Sequence, residues 1–427
     1  MPGALDGIRV LEFSQIVAGP VIGVLLSDLG AEVVKVEPLE GEARRNAAAI
    51  VPNEGKYFMS LNRGKRSLTV DLARPEGRDI IHRLIPTFDI VVCNFRAGVT
   101  ARLGIDYKSL APLRPGLIYA TVTGFGETGT NATRAGSDIV AQAFTGLMAA
   151  EAKVDDFGAP APITSSTFID RSSGMAATIG ICAALYHRER TGEGQEISVS
   201  LVHTGLELLA SHVMREPVHD VTVRDPLLQQ FTDTRASGAP YSEIAEIRRS
   251  QGPRFASHRL YYGGYHTAQG ALVLGALTQH NRDAIRRIIG MDDDTDAAGF
   301  DAGDPASRRK IEDHRLRIQE ILMQRPALEW VEKFVAAGVP ASVVHFPEEM
   351  SDDPHVLETG IMADLVHPLT GPQRVVGPII KMSATPTAAR ISAPPLGADT
   401  HSILAEAGYT EAEIAALAAS KAISTRD

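Results

Sequence analysis

The chain has 427 residues, 44% of them hydrophobic and 22% charged, which is the balance of a globular protein and excludes wholesale disorder. Lys plus Arg number 42 against 52 for Asp plus Glu, a net charge of −10, and that argues against a nucleic-acid binder, which needs clustered cations. At roughly 150 residues per domain the length suits two or three domains.

The opening MPGALDGIRVLEF has no basic stretch followed by an apolar one, so no signal peptide is expected. No run approaches the roughly 18 apolar residues of a membrane span. Cys93 and Cys182 sit among aliphatic residues and read as small buried hydrophobes in a reducing, cytoplasmic setting. Ile8–Phe13, rich in branched residues, reads as the first strand. The loop Ser14–Pro20 leads into a helix reaching about Leu29, with Pro20 where a first turn tolerates it and Gly30 as the stop. Strand Glu32–Val36, strand Ser67–Leu72, helix Pro75–Ile85, strand Asp89–Phe95 and strand Leu117–Thr123 follow. This alternation predicts βαβ units, a parallel sheet covered on both faces, and ligands at the carboxyl ends of the strands.

Ser172–Glu189 is the longest helical signal. Met175, Ala176, Ile179, Cys182, Ala183 and Tyr186 fall at helical spacing and predict a buried stripe. The turn Thr191–Gly194 separates it from a strand at Glu196–Leu201. Residues 216–257 are polar, rich in Arg and without a period, which predicts an irregular protruding or inter-domain segment. Strands return within Leu260–Leu274, a helix near Gln279–Ile289 follows, and 291–306 reads as an acidic solvated loop. Helices Ser307–Met323 and Ala327–Ala337, a strand at Ala341–Phe346 and a turn-rich tail with a helix near Glu411–Ala419 complete the chain.

Several clusters carry chemistry. The strand–helix–strand unit closed by Glu37 invites a dinucleotide reading, but that reading needs G-x-G-x-x-G. The chain offers only Ala18-Gly19-Pro20-Val21-Ile22-Gly23. Asn62-Arg63-Gly64-Lys65-Arg66-Ser67 is a cationic turn that either meets phosphates or is simply solvated. Asn94-Phe95-Arg96-Ala97-Gly98 follows an apolar strand, where an adenine or phosphate would sit, and Arg102 is near enough to reach the same ligand. Asp170, entering the long helix in Phe168–Gly174, reads either as an N-cap or as a carboxylate nucleophile kept ionised by the helix start. The adjacent serines and Gly174 would let a bulky ligand approach. Asp138 is a second acid at a helix start, open to the same two readings. His203 and His212 are too far apart for a helical zinc pair, and there is no G-x-S-x-G elbow or P-loop, so no metal is expected.

At these residues the chain resembles the class III CoA-transferases, the family of formyl-CoA and carnitine CoA-transferases. The blocks are GIRVLEFSQIVAGP, LGAEVVKVE, LNRGKRSLTVDL, NFRAG, TGFGETG, FIDRSSGMAATIGICAALYHRERTGEGQ, and AAGVPASVV followed by DPHV. Their order over nearly the whole chain favours the nucleophile reading of Asp170. The resemblance implies an α/β fold with a large Rossmann-like domain, residues 1–200 completed by 346–427, and a smaller α+β domain at 226–325. Residues 201–225 and 326–345 would be linkers in a homodimer of two interlocked rings. It further implies that Gln15, Ala18, Asn94, Phe95, Arg96 and Arg102 bind CoA, that Val70 and Leu72 flank the adenine, and that Asp138 lies near the reacting acyl group. The substrates would be an acyl-CoA and a small carboxylic acid, with no tightly bound cofactor and no membrane or nucleic-acid partner.

Departures from the family pattern bear on the substrate. Ala97 and Thr130 stand where the family usually has Pro, Gln269 replaces an Asp, and Thr232–Ser257 has no counterpart of the formyl-CoA branch's glycine-rich loop. The same fold also houses α-methylacyl-CoA racemases, whose reaction needs two proton-transfer groups. Racemases place a His where this chain has Ser137 and a Glu where it has Thr278, so the transferase reading leads. A non-catalytic CoA-binding paralogue is the third alternative, and the retained Asp170 speaks against it. The amides of Ser172–Gly174 are the expected oxyanion donors.

Overall fold

Short branched strands separated by helices fold as that alternation requires. A computed structural model describes residues 2–250, 257–297, 299–301 and 304–425. Six strands form one sheet: β1 (Arg9–Phe13), β2 (Glu32–Glu37), β3 (Lys65–Thr69), β4 (Ile90–Cys93), β5 (Ile118–Thr123) and β6 (Glu196–Ser200). Their order is β3-β2-β1-β4-β5-β6, and every pairing is parallel. Both faces are covered, which is why the strands read as nearly continuous apolar runs. Successive residues point to opposite faces: Leu11, Val34, Val91 and Cys93 join one core, and Val10, Val33, Ile90 and Val92 the other.

The helices that position the site are α1 (Ala18–Asp28), α2 (Ala43–Asn46), α3 (Pro75–Leu84), α4 (Asp138–Thr145) and α5 (Phe168–Thr191). Residues of α1 and α5 share one core, while α3 shares the other with Ile403, Leu404 and Ile414 from the end of the chain. Two compact units emerge, one of Met1–Ala149, Ala161–Arg215 and Pro354–Asp427, the other of Ala150–Pro160 and Glu216–Asp353. Within the second, β7 (Tyr262–His266), β8 (Ala271–Gly275) and β9 (Ala341–Val343) form an antiparallel sheet with its own core around Tyr265, Leu272, Ile285, Ile318 and Phe334. No helix among the described residues is long and apolar enough to cross a membrane.

Several expectations differ from this arrangement. Residues 216–250, expected to be irregular, are largely helical, at Pro217–His219, Asp220–Arg224, Asp225–Ala236 and Tyr241–Ser250. These helices bury little apolar surface, so they leave little periodicity to find. Residues 251–256 of that segment, and 298, 302 and 303 of the expected acidic loop, lie outside the described residues. The segment expected as a second linker holds the helix Ala327–Ala336 and β9, which pairs with β8. Cys182 is exposed, not buried. So is the rest of its stripe: Ile179 is 72% exposed and Tyr186 66%, while α5 buries Ile169, Ser173, Gly174, Ala177, Ile181 and Ala184 instead.

Candidate active site

The chain runs from β1 outward through β2 and β3, then returns to β4 on the other flank of β1. Such a reversal leaves a crevice at the carboxyl ends of the two central strands. The loop after β1 and the loop after β4 meet there. Asn94 Nδ2 donates to the Gln15 carbonyl at 2.7 Å, and the Gln15 amide donates back to Asn94 Oδ1 at 2.9 Å. Two clefts open at this junction. One, of about 340 Å³, has apolar walls including Val70, Leu72, Phe95 and Leu103. The other, of about 350 Å³, is lined by Ala18, Asn94, Arg96, Gly124, Ser137 and Asp170 among others. Gln15 and Phe95 line both.

Asp170 reaches the second cleft because α5 crosses close to the start of α1. A Cβ added at Gly174 would stand 2.7 Å from the Ala18 carbonyl oxygen, so only glycine permits this approach. The N-cap of α5 is Thr167, which makes Asp170 the third helical residue and not the cap. The Asp170 amide, one of the helix's unpaired donors, gives its hydrogen to Asp138 Oδ2 at 3.0 Å. The other Asp138 oxygen accepts from Gln142 Nε2 at 2.5 Å. Gln142 in turn exchanges bonds with the backbone of Ile163 at 2.9 and 3.0 Å. Asp138 therefore accepts from the start of α5 as the N-cap reading expected Asp170 to do.

The Asp170 side chain itself accepts no hydrogen bond among the described residues, although the residue is only 8% exposed. Burial first, then the charge of Asp138, push its carboxyl up from the ordinary 3.8 to about 7, against a pull from Arg44 on α2. The expected full stabilisation of the charge by the helix start is thus overturned. Desolvation and a like charge outweigh it.

Eight of the ten sequence-derived site residues line the clefts: Gln15 and Phe95 both, Val70 and Leu72 the apolar one, and Ala18, Asn94, Arg96 and Asp170 the other. Asp138 is buried behind Asp170, and Arg102 lines neither cleft. The guanidinium groups of Arg96 and Arg102 have no ion-pair partner among the described residues. Ser172–Gly174 lie inside α5, where the helical ladder uses their amides, so they are not the oxyanion donors expected. The cationic turn is excluded as a phosphate site. Arg63 pairs with buried Asp28, Lys65 with Glu12 at 2.8 Å, and Arg66 with Glu32 and Glu406 at 2.7 Å each. Glu37 lines the apolar cleft with its charge already paired, since Arg45 donates to both its oxygens at 2.7 Å. Sequence reasoning missed Arg44 and Gln142. A four-residue helix in a polar stretch gives Arg44 no periodic signal, whereas Gln142 stands four residues after Asp138 on one helix face, a spacing that does bring side chains together.

Residues 5–400 match the model of CoA-transferase family III. The succinate–glutarate CoA-transferase of Agrobacterium fabrum is 31% identical over 416 residues, covering 94% of this chain and 95% of its own. The succinyl-CoA:mesaconate CoA-transferase of Haloarcula hispanica is 31% identical, over 95% of this chain and 97% of its own. Among solved structures, a CAIB/BAIF family protein from Brucella suis superposes with a TM-score of 0.73 at 28% identity, covering 95% of this chain and all (100%) of that one.

Proposed function

Because the chain belongs to CoA-transferase family III, we propose that it moves CoA from a donor acyl-CoA to a carboxylic acid, with Asp170 as the covalent nucleophile. The observation that carries this reading is the Asp170 carboxyl: buried in a cleft, without a hydrogen-bond donor among the described residues, and raised to about 7. A carboxylate left poorly solvated is a stronger nucleophile than one in water, and near neutral pH a large fraction of it is ionised.

The clefts suit the two ends of a CoA thioester. Val70, Leu72 and Phe95 offer apolar walls for an adenine, and Arg96 in the second cleft, a cation without an ion-pair partner among the described residues, suits its phosphates, with Arg102 outside both clefts as a further proposed contact. An Asp170 oxygen attacks the thioester carbonyl, the carbon–sulfur bond breaks, and CoA leaves as thiolate with a mixed anhydride left on the enzyme. The thiolate then attacks the aspartyl carbonyl, releasing the donor carboxylate and leaving an aspartyl–CoA thioester. An acceptor carboxylate repeats both steps in reverse order and restores Asp170. Each step exchanges one nucleophile for one leaving group, and no proton is gained or lost overall.

Succinyl-CoA as donor and a dicarboxylate as acceptor are supported by the names of the two relatives above. Racemisation fits less well, since the described lining of the reaction cleft holds no His or Glu to pair with Asp170 in proton transfer. A dimer of interlocked chains is part of the same reading, and the exposed apolar stripe of α5 supports an uncovered partner surface. The direct test incubates the protein with a panel of acyl-CoA donors and carboxylic acids, with and without hydroxylamine, and reads products and peptides by mass spectrometry. New acyl-CoA together with a hydroxamate on the Asp170 peptide is expected. Solvent deuterium entering the α-carbon with no CoA transfer would establish the racemase instead.

A further inference from the structure

Ile16 has a φ of 72°, in the left-handed region that a β-branched residue avoids. It lines the reaction cleft between Gln15, which touches both clefts, and Val17–Ala18 at the start of α1. Strain of this kind persists only where surrounding groups hold it.

Two buried charges do so. The Ile16 amide donates to Glu42 Oε2 at 3.3 Å, and Lys35 Nζ donates to the Ser14 carbonyl at 2.6 Å. Lys35 and Glu42 stand 3.4 Å apart, and their side chains are 0% and 1% exposed. Burial pulls the Lys35 ammonium down, but Glu42, Glu12 and Glu37 outweigh it and keep its pKa above the ordinary lysine value. Glu12 extends the lattice, pairing with Lys35 at 3.3 Å and accepting from Ser14 Oγ at 2.7 Å. Buried ion pairs of this sort are seldom more stabilising than well-packed apolar residues, so stability alone gives little reason for them. Glu42 lines neither cleft and is buried, so its contacts are with the loop after β1.

We propose that Glu42 is a positioning residue: with Lys35 it locks the Ile16 peptide in its left-handed conformation and thereby fixes Gln15 and the first turn of α1 opposite Asp170. The kinetic consequence rests on the CoA-transfer reading, whereas the clamp itself does not.

Two substitutions separate the clamp from the charge. Glu42→Gln and Glu42→Met both remove the negative charge beside Lys35, but only Gln keeps an oxygen to accept from the Ile16 amide. Glu42→Gln should retain kcat/KM within about threefold of the parent, and Glu42→Met should lose at least about tenfold. Glycine adopts this φ without strain, so in the Ile16→Gly background the further loss from Glu42→Met should shrink to less than about threefold. Hydrogen exchange gives a readout independent of turnover. Glu42→Met should deprotect the peptide spanning residues 14–18, and Glu42→Gln should not. If the parent transfers no CoA, the functional reading fails while exchange still judges the clamp. Equal impairment of the Gln and Met variants, a Met deficit that persists with Ile16→Gly, or unchanged exchange would overturn the proposal. So would a Met variant that stays insoluble even with Ile16→Gly, which would mark Glu42 as a folding residue.

Discussion

Replacing Asp170, the proposed nucleophile, should stabilise the protein, and the size of the gain should depend on pH. The Asp170 carboxyl rises from 3.8 to about 7 on folding. Because its folded pKa is the higher one, the native state binds more protons than the unfolded chain between those values, so stability falls as pH rises through that window. Above pH 7 the full penalty stands, roughly three pKa units or about 4 kcal/mol. Asp170→Asn removes the charge but leaves a buried amide without a partner, which costs about 1–3 kcal/mol. The net gain at pH 8 is then about 1–3 kcal/mol. A chain of this length has an unfolding entropy near 0.9 kcal/mol per degree, so the melting temperature should rise by about 1–3 °C.

At pH 5 the penalty on the parent is smaller by about 2–3 kcal/mol, and the two proteins should melt together or the variant slightly lower. Differential scanning calorimetry of both proteins at the two pH values measures this directly. CoA transfer should be nearly abolished in the variant at either pH, since an amide is a poor nucleophile. A variant that melts several degrees below the parent at pH 8, or a gap that ignores pH, would refute the claim that Asp170 is an uncompensated buried acid.

Four further outcomes follow from the same geometry. The rate kcat/KM should climb with pH through a midpoint near 7, and Asp138→Asn should lower that midpoint by removing the like charge behind Asp170; an unmoved midpoint would assign the limb to another group. Arg96→Ala and Arg102→Ala should raise the KM for CoA thioesters roughly ten- to a hundredfold with smaller changes in kcat, the effect of losing a charge-assisted phosphate contact, and an unchanged KM would remove either residue from the site. Gly174→Ala should force α5 away from α1 at Ala18, lowering stability by about 1–3 kcal/mol and kcat with it; parent-like kinetics would show that the close approach does not place Asp170. Mass photometry at nanomolar concentration should find a dimer that dilution does not dissociate, and a folded monomer there would sink the interlocked arrangement.

The parallel sheet and the crevice were legible because apolar strands separated by helices leave few alternatives, and ligand loops sit at the carboxyl ends of strands as a rule. The residues after β1 and β4 that line the clefts were legible for the same reason, helped by the resemblance at NFRAG and FIDRSSG. What stayed hidden was pairing. Arg63 and Lys65 were open to a phosphate or a solvated reading, and Lys35 and Arg45 drew no reading, yet each is buried against a carboxylate distant in sequence or on another element. Charge type alone cannot distinguish a solvated lysine from one whose counter-ion comes from a neighbouring strand. The division of labour between the two aspartates was hidden too, because either could cap a helix and only the fold decides that Asp138 takes the Asp170 amide.

The inverted stripe of α5 has a different origin. A helix of 24 residues with both a small-residue face and a large apolar face gives one period and two candidate cores. Within a single chain the small face wins, because α1 must approach closely at Gly174. That leaves Phe168, Met175, Ile179 and Tyr186 in solvent at 41–72% exposure. Large side chains aligned on one exposed helix face are what an interface core supplies, whereas scattered exposed hydrophobics are ordinary. The sequence periodicity picked out the large apolar face, whereas the chain buries the small one. In the dimer proposed above a second copy of the chain would lie against α5, and charged substitutions at Ile179 and Tyr186 should therefore keep newly folded chains from assembling while leaving the sheet and its own cores intact. Retention of a full-sized dimer in an Ile179→Glu, Tyr186→Glu double variant would place the interface elsewhere.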